Sequence, residues 1–463
     1  MRKLLMDAAS RSVRYAEEIG QRRVAPRDEE IAALHALGGT LPEHSEEPAT
    51  VLRLLDEVGS PATVASTGGR YFGFVTGGTL PVALACNWLA GAWDQNVAVR
   101  AMSPVAAHLE DVAAEWLRQL FGLPSTCTVG FVTGATMANF TGLAAARHAL
   151  LARAGWNVEE DGLFGAPPLR VVVGDEVHVS LLKALSLVGF GRTRVLRVPT
   201  DRQGRMRADA LPDLNDRTIV CIQAGNVNSG AFDPAADVCA RAAQAGAWVH
   251  VDGAFGLWAA VAPQRAHLVA GFDRADSWSV DCHKWLNVPY DSGLAFVRSA
   301  ADLEAAMSVS APYIAITPQR EPWFHTPEAS RRARAVEIWA ALRSLGRFGL
   351  ADLIEHDCRL AARFAERLSA AGVEVLNDVV LNQVVVAFGD DETTNRIIAR
   401  VQNEGTCWCG GTMWRGRAAM RISVSSWVTT ENDVDRSVEA ILLERHRVLD
   451  PLRHRAIDPR GPD

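Results

Sequence analysis

The sequence lacks several features that would place it in a specialised class of proteins. Its 47 lysines and arginines are outnumbered by 54 aspartates and glutamates, for a formal net charge of -7, which gives no electrostatic reason to bind nucleic acid or an anionic membrane. No apolar run reaches the roughly 18 residues of a membrane span, and the first residues, 1–7, become acidic too soon for a signal peptide. We therefore expect neither nucleic acid nor a membrane among its partners.

Cysteines are few and follow no pattern. The 8 thiols are scattered along 463 residues without the spacing of a disulfide framework, which predicts reduced thiols and a cytoplasmic protein. The one close pair, Cys407 and Cys409, has too few potential ligands nearby to predict a metal site. With 48% hydrophobic and 22% charged residues, the chain has an ordinary globular composition and is long enough for a large and a small domain.

From Val129 onward, short apolar strands alternate with helices. The predicted strands share a continuous apolar character and lie at 131–132, 170–173, 194–198, 218–222, 248–251 and 294–297. This alternation favours an α/β fold whose mostly parallel sheet is covered on both faces. Ligands of such sheets collect at the carboxyl ends of the strands.

Three segments are predicted along the chain. Residues 1–65 are expected to form an N-terminal helical arm, residues 66–325 the large α/β domain, and residues 326–463 a small α+β domain. The last segment opens with a predicted helix at 330–345 and then changes to short strands and a closing helix. Its remaining predicted elements are strands at 373–375, 383–388 and 420–424 and a helix at 433–444.

A lysine follows one of the apolar stretches directly. Residues 277–291 run from an alternating apolar segment into adjacent His283 and Lys284 and then into an Asn/Pro/Asp turn. Apolar neighbours such as Trp278 and Trp285 are expected to lower the pKa of the amine and make it a nucleophile toward carbonyls. Alone, Lys284 would be interpreted as a surface lysine at the end of a strand.

Upstream residues change that interpretation. The turn 133–136 lies between a strand and a helix, where free N–H groups and the helix dipole bind phosphate, although Gly-Ala-Thr by itself is usually only a cap. Asp252 ends the 248–251 strand, and a buried carboxylate needs a cation, either an arginine, a metal or a pyridinium nitrogen. His178, after another strand, would stack on a planar ring or be structural. In this order, turn, acid and lysine meet the requirements of a pyridoxal phosphate (PLP) site.

The combination resembles the group II PLP-dependent decarboxylases, the fold-type-I family that includes aromatic-amino-acid and glutamate decarboxylases. The likeness covers roughly residues 65–430 and is carried by a few motifs. They are VDGA at 251–254, DCHKW at 281–285 followed by NVPYD at 287–291, GNVNSGAFD at 225–233 and SRRAR at 330–334. The resemblance implies a homodimeric carboxy-lyase that decarboxylates an L-amino acid, aromatic or apolar rather than acidic.

The resemblance also implies roles for individual residues. Lys284 would hold the cofactor aldehyde as a Schiff base, His178 would stack on the ring, and both would be catalytic. Asp252 would pair with the ring nitrogen and Ala254 would pack beneath the ring. The other cofactor-binding residues would hold the phosphate (Ala135, Thr136, Asp281 and His283) or lie near the 3-hydroxyl group (Ser229).

Substrate contacts are expected from several parts of the chain. Phe74 and Thr76 belong to a glycine- and aromatic-rich loop, 68–78, whose residues 71–79 would arrive from the neighbouring subunit according to the resemblance. Trp93 adds apolar surface. Asn228 would lie near the substrate, and Arg421 could bind its carboxylate.

The chain departs from the family in the region that supplies a proton. In the family, a tyrosine between the strand after the lysine and the Ser-Arg-Arg helix returns a proton to Cα after CO2 leaves. Here Tyr313 lies too early in the matching interval, so His325 is the predicted donor. The alternative is another PLP-dependent reaction, that of an aminotransferase using Arg421, an aldolase or another C–C lyase. A catalytically silent scaffold is a further alternative, against which the intact Lys284 argues.

Overall fold

The structure, a computed structural model, describes residues 1–309 and 319–450. The helices are α1 (Arg2–Glu18), α2 (Asp28–Ala33), α3 (Pro48–Leu54), α4 (Pro81–Trp93), α5 (Pro104–Leu120), α6 (Ala135–Arg153), α7 (Val158–Asp161), α8 (Val179–Leu187), α9 (Ala235–Ala245), α10 (Ala300–Met307), α11 (Ala335–Ala370), α12 (Asp391–Glu404) and α13 (Glu431–Leu449). The strands are β1 (Tyr71–Phe72), β2 (Thr128–Val132), β3 (Arg170–Gly174), β4 (Leu196–Val198), β5 (Thr218–Gln223), β6 (Trp248–Asp252), β7 (Ser277–Asp281), β8 (Gly293–Val297), β9 (Glu374–Val375), β10 (Gln383–Ala387), β11 (Trp408–Trp414) and β12 (Arg417–Ser423). None of the helices in these two described ranges has the length and apolar character needed to cross a membrane.

Two compact units make up the chain. The larger consists of Gly77–Ala361 and Asn377–Gln383, and the smaller of Met1–Thr76, Ala362–Leu376 and the described residues from Val384 onward. The predicted boundaries at 65/66 and 325/326 differ from this division. The reason is β1, which pairs in parallel with β11 and so joins the N-terminal residues to the C-terminal strands.

The larger unit is built on a seven-stranded sheet in the order β2-β8-β7-β6-β5-β3-β4. Only β8 runs against its neighbours, β2 and β7, so the other six strands share one direction. Every residue of β5, β6, β7 and β8 is buried, which requires cover on both faces of the sheet. The predicted α/β fold with a mostly parallel sheet is confirmed.

The core of the larger unit lies around α6. Its small side chains, among them Ala144, Ala145 and Ala149, pack with Leu185 of α8 and Leu303 of α10 in one apolar cluster. Small residues let the helix approach the sheet closely. The start of α6 is thereby held directly above the carboxyl end of β2.

The smaller unit carries a five-stranded sheet in the order β1-β11-β12-β10-β9. The N-terminal helices join this unit through Arg70, which is 5% exposed. Its guanidinium donates to the carbonyls of Gly20, Arg22 and Thr406. Three helices, α1, α2 and α3, lie within the first 65 residues, where the sequence predicts helix. The helix predicted at 330–345 begins later, at Ala335, and α11 continues past a break at Gly346, where φ is 61°.

We expect the core around α6 to respond to truncation in a position-dependent way. Leu185→Ala removes a fully buried side chain and should lower the free energy of unfolding by about 2–5 kcal/mol through the lost transfer energy and the cavity left behind. Leu187→Ala, on the same helix but 56% exposed, should change it by less than about 0.5 kcal/mol. Urea unfolding followed by circular dichroism measures both. Equal losses would contradict the described packing.

Candidate active site

The carboxyl end of β7 brings a carboxylate and an amine together. β7 ends at Asp281, and the chain turns so that Lys284 Nζ lies 2.8 Å from Asp281 Oδ2. The side chain of Asp281 is 3% exposed and that of Lys284 17%. Lys284 therefore lies just past the end of a strand, where the sequence predicts it, and it forms an ion pair with the last residue of that strand.

The turn between β2 and α6 meets the same carboxylate. The backbone N–H of Ala135, the first residue of α6, donates to Asp281 Oδ1 at 2.5 Å. A Cβ on Gly134 would lie 3.0 Å from His283 Cε1 and 3.2 Å from Asp281 Oδ1, and one on Gly293 would lie 2.5 Å from the Gly134 backbone. Glycine is thus required for this close approach. The predicted phosphate turn and the lysine lie side by side because β8 places the ends of β2 and β7 at one edge.

The ionisation of Lys284 differs from the sequence prediction. Burial lowers the pKa of its amine, but the negative charge of Asp281 and the hydrogen bond to it raise the pKa, and Asp252 and Tyr290 raise it further. The net pKa lies above the ordinary value. The prediction of a lowered pKa from apolar surroundings is wrong in this structure, since it did not include a carboxylate at 2.8 Å.

His283 is oriented by contacts on both ring nitrogens. Its Nδ1 accepts the N–H of Ser292 at 3.2 Å, so the proton of the neutral ring belongs on Nε2, which lies 3.6 Å from Asp281 Oδ1. The ring stacks on Tyr290 with centroids 4.3 Å apart. Burial lowers the pKa of His283 against the opposing effect of Asp281, which favours the neutral ring.

The turn that carries Lys284 is also packed against the glycine-rich loop of its own chain. A Cβ on Gly77 would lie 1.8 Å from the Lys284 carbonyl oxygen. Gly78 N–H donates to Asn287 Oδ1 at 2.7 Å, and Leu80 N–H donates to the Asn287 carbonyl at 2.8 Å. At the carboxyl end of the GGRYFGFVTGG segment, glycine is therefore required because a larger residue would collide with the turn that carries Lys284.

Asp252, at the end of β6, is surrounded by neutral donors. It is 6% exposed and accepts from Ala254 N–H at 3.2 Å, Asn139 Nδ2 at 3.3 Å and Ser279 Oγ at 3.5 Å. None of these three groups carries a positive charge, while a carboxylate at such depth favours a cationic partner. A protonated ring nitrogen would supply that charge.

A polar chain behind Asp252 was not found from the sequence. Trp248 Nε1 donates to Ser277 Oγ at 2.9 Å, and Ser277 Oγ lies 2.8 Å from His250 Nδ1. His250 Nε2 lies 2.8 Å from Asn139 Oδ1, whose amide in turn donates to Asp252. Burial lowers the pKa of His250 to about 4, so the ring is neutral. Each group in this series can then donate its hydrogen bond to the next, and the last donation is to Asp252. Two signals were available: His250 lies two positions before Asp252 on one strand face, and Asn139 one helical turn after Ala135.

His178 and Ser229 have partners of their own. His178 is the N-cap of α8, with Nδ1 accepting from Ser180 N–H at 3.3 Å and lying 2.7 Å from Ser180 Oγ. Ser229 Oγ donates to the Gln203 carbonyl at 2.6 Å. Asn226 Oδ1 accepts the N–H of Asn228 at 2.9 Å, which fixes the predicted substrate-binding loop. Ring stacking by His178 and cofactor contact by Ser229 stay predictions.

Three other predicted residues have surroundings of their own. His325 Nδ1 lies 3.1 Å from the Glu321 carbonyl, and Nε2 lies 3.4 Å from Glu304 Oε1. Trp93 ends α4 and is 38% exposed. Arg421 lies on β12 in the smaller unit, where burial lowers its pKa. Tyr313 falls outside the described residues.

Phe74 and Thr76 belong to an aromatic loop of the smaller unit. Tyr71 and Phe74 both stack on Trp408, each with centroids 5.3 Å apart, and a Cβ on Gly73 would lie 2.3 Å from the Trp408 ring. The Thr76 carbonyl accepts from Ser425 Oγ at 3.3 Å. Phe74 remains 65% exposed, which leaves its ring available to a ligand or another subunit.

The larger unit fits PLP by the chemistry of its groups. The start of α6, with Ala135 and Thr136, offers N–H groups and a helix dipole to a phosphate. Lys284 supplies the amine for the aldehyde. Asp252 supplies a buried carboxylate for the ring nitrogen, and the partly exposed Ala254 lies directly beside it.

Comparisons with known proteins agree with this chemistry. The family model for the pyridoxal-dependent decarboxylase conserved domain matches residues 40–388. An aromatic-L-amino-acid decarboxylase of Bacillus atrophaeus is 25% identical over 455 residues, covering 93% of this chain and 92% of that protein. An L-2,4-diaminobutyrate decarboxylase of Rhizobium meliloti (strain 1021) is 29% identical over 383 residues, covering 78% and 74%. The crystal structure of Oryza sativa TDC with PLP and tryptamine has a TM-score of 0.89 at 24% identity, covering 97% and 98%, and shares the fold.

We expect PLP to be attached at one lysine. The chain contains three lysines, Lys3, Lys183 and Lys284, so borohydride reduction followed by peptide mapping should place a pyridoxyl group on Lys284 and leave exposed Lys183 unmodified. Lys284→Ala should abolish both the tag and turnover, while its phosphate contacts retain some cofactor. A tag on Lys183 or on no lysine would contradict the assignment.

Proposed function

Because this chain belongs to the pyridoxal-dependent decarboxylase family, we propose that it converts an aromatic or apolar L-amino acid to the corresponding amine. The reaction breaks the bond between Cα and the carboxylate, releases CO2 and forms a C–H bond at Cα with one proton. The chain is a PLP-dependent carboxy-lyase, and the identity of the side chain that it accepts is the proposal.

The observation that carries the proposal is the contrast between two buried carboxylates at one sheet edge. When bound, protonated PLP accepts the electron pair left as CO2 departs. Asp252, whose hydrogen-bond partners in the described part of the chain are neutral, suits the positive ring nitrogen and would keep its proton in place. Asp281, paired with Lys284, belongs to the phosphate end of the site. His250, held neutral, keeps a second positive charge away from Asp252.

The aromatic loop supports an aromatic or apolar substrate. Tyr71, Trp408 and Phe74 form a continuous stack, and Phe74 presents most of its ring to the outside. Such a surface binds planar or apolar side chains, and none of these three residues carries a carboxylate for the distal ammonium of a diamino acid. Thr76, Asn228 and Trp93 remain candidate substrate contacts.

The proton donor at Cα is also part of the proposal. His325 is the candidate from the sequence. Since its two ring nitrogens face the Glu321 carbonyl and Glu304, it would have to leave both partners to reach a substrate. Burial lowers the pKa of His325, so the protonated ring needed for donation is disfavoured in the described position.

A homodimer is proposed from the surface of α4. The sequence of this helix is almost entirely apolar, but only Ala83 is buried, and Trp88 and Leu89 are 41% and 48% exposed. Soluble monomers rarely leave such a patch uncovered. A second copy would cover it, and the exposed Phe74 supports loops shared between the two active sites.

The state of the thiols is relevant to the cellular location of the protein. All eight cysteines are free. Burial raises the pKa of several of these thiols, to about 11 for Cys127 and to about 12 for Cys239 and Cys358, so they remain protonated and inert. Free thiols support the proposed cytoplasmic location.

We expect purified protein to release CO2 and an amine in equal amounts from L-tryptophan, L-tyrosine or L-phenylalanine. L-2,4-diaminobutyrate should be turned over at least about tenfold more slowly, because a distal ammonium loses hydration without gaining a counter-charge. Amine and CO2 are quantified together, with Lys284→Ala as the blank. Keto-acid formation without CO2 would replace the proposal with the aminotransferase alternative, and preference for the diamino acid would overturn the substrate class.

We expect the dimer to depend on α4. The wild type should sediment at twice the 50.0 kDa chain mass, and Leu89→Asp should shift it toward the monomer, because a charge placed in an apolar interface is left without a partner. Leu187→Asp, on another exposed site, serves as the control and should stay dimeric. A monomeric wild type would contradict the assembly.

A further inference from the structure

The carboxylate of Asp281 contacts two groups that the cofactor also needs. Its Oδ2 lies 2.8 Å from Lys284 Nζ, the amine expected to join the aldehyde. Its Oδ1 accepts the first N–H of α6, from Ala135, at 2.5 Å. The helix start is the part of the site best suited to the phosphate. One side chain therefore engages both ends of the cofactor-binding machinery.

The position of this carboxylate is fixed from several sides. Asp281 is 2% exposed, and its own carbonyl accepts from Trp258 Nε1 at 3.0 Å. Gly134 lies so close that a Cβ there would be 3.2 Å from Oδ1, and His283 Nε2 lies 3.6 Å from the same oxygen. The carboxylate has little room to turn away from the start of α6.

The charge of Asp281 opposes that of a phosphate. Burial raises the pKa of Asp281, but Lys284 and His283 lower it more, so that its net pKa lies below the ordinary value and the group is ionised at neutral pH. A carboxylate and a phosphate at one helix N-terminus repel each other, more strongly in a buried site than in water, so this role for Asp281 differs from the phosphate-holding role that the resemblance implies. The same carboxylate attracts the Lys284 ammonium.

We propose, on the premise of the proposed function, that Asp281 restrains cofactor loading by acting as an internal anion at the start of α6 and by holding Lys284 as an ammonium. PLP must displace the carboxylate from the Ala135 N–H and separate it from the amine. The C=N bond then forms between the amine nitrogen and the aldehyde carbon, one water leaves, and the proton of the ammonium passes to solvent.

The proposal has a defined pH dependence. Asp281, Asp252 and Tyr290 all raise the pKa of Lys284, and His283 is its other titratable neighbour. Only the neutral amine attacks an aldehyde, so a raised pKa leaves less of the reactive form at a given pH. Loading of the wild type should therefore accelerate as pH rises, and removal of the Asp281 charge should bring that acceleration to lower pH.

Asp281→Asn tests the restraint on the amine. It keeps the size of the side chain and an acceptor for Ala135 N–H but removes the charge. With cofactor first removed, PLP added at pH 7 should bind about tenfold faster to this variant than to wild type, as followed by the absorbance of the bound cofactor, since a nearby opposite charge changes the neutral-amine population by at least that factor. Asp276→Asn is the matched control, because Asp276 precedes the same strand and accepts Val249 N–H at 2.8 Å; it should load like wild type.

Inorganic phosphate tests the restraint at the helix start separately. Calorimetry on cofactor-free protein should show at least about tenfold tighter phosphate binding for Asp281→Asn than for wild type or Asp276→Asn, because one buried like charge is removed. Slower loading, weaker phosphate binding or no change in a folded Asp281→Asn protein would each overturn the proposal. Neither readout uses an amino-acid substrate, so failure of the proposed decarboxylation leaves them interpretable.

A measurement on the wild type keeps the test decisive if Asp281→Asn does not fold. Competitive acylation of cofactor-free protein, followed by peptide mapping, gives the pH at which each lysine becomes reactive. Lys284 should become reactive at higher pH than the exposed Lys183, for which the described residues provide no ion pair. A lower pH for Lys284 would show that the Asp281 pair does not hold the ammonium and would overturn the proposal.

Discussion

The contact of one buried carboxylate with a lysine and a helix N-terminus organises the site. Asp281 joins the end of β7 to the start of α6 and to the turn that carries Lys284. These segments are far apart in the chain and meet only because the sheet places the ends of β2 and β7 together. The geometry of the lysine, the tightness of the glycine turn and the orientation of His283 all follow from this meeting point.

The second carboxylate of the edge, Asp252, differs in its environment rather than in its chemistry. Asp281 pairs with the Lys284 ammonium, whereas the hydrogen bonds that Asp252 accepts within the described residues come from neutral donors on Asn139, Ser279 and a backbone N–H. Enzymes assign different tasks to identical groups by such differences in surroundings. The neutral His250 behind Asn139 preserves this difference. A charged imidazole there would attract the Asp252 carboxylate in competition with the ring nitrogen of PLP.

Much of this was predictable from the sequence, and the failures have physical causes. Continuous apolar runs located the strands, and the rule that ligands gather at strand ends selected Asp252 and Lys284. The pKa of Lys284 was predicted in the wrong direction, because the distance between its amine and Asp281 depends on a turn that composition does not describe. Asn139 and His250 were missed because their contact needs the register of a helix over a strand. The boundary after residue 65 also differed, since the pairing of β1 with β11 is non-local.

The reversed strand β8 has a consequence for how the molecule comes into being. It lies between β2 and β7 and pairs with β2 across about 160 residues of sequence, and pairings of such separation form slowly. During synthesis, Gly134, Asp252 and Lys284 all leave the ribosome before β8 does. The strands that precede the Gly134 turn and Lys284, β2 and β7, are joined in the sheet only through β8. A strand of five apolar residues, β8, thus brings together the turn and the amine on which the covalent chemistry depends.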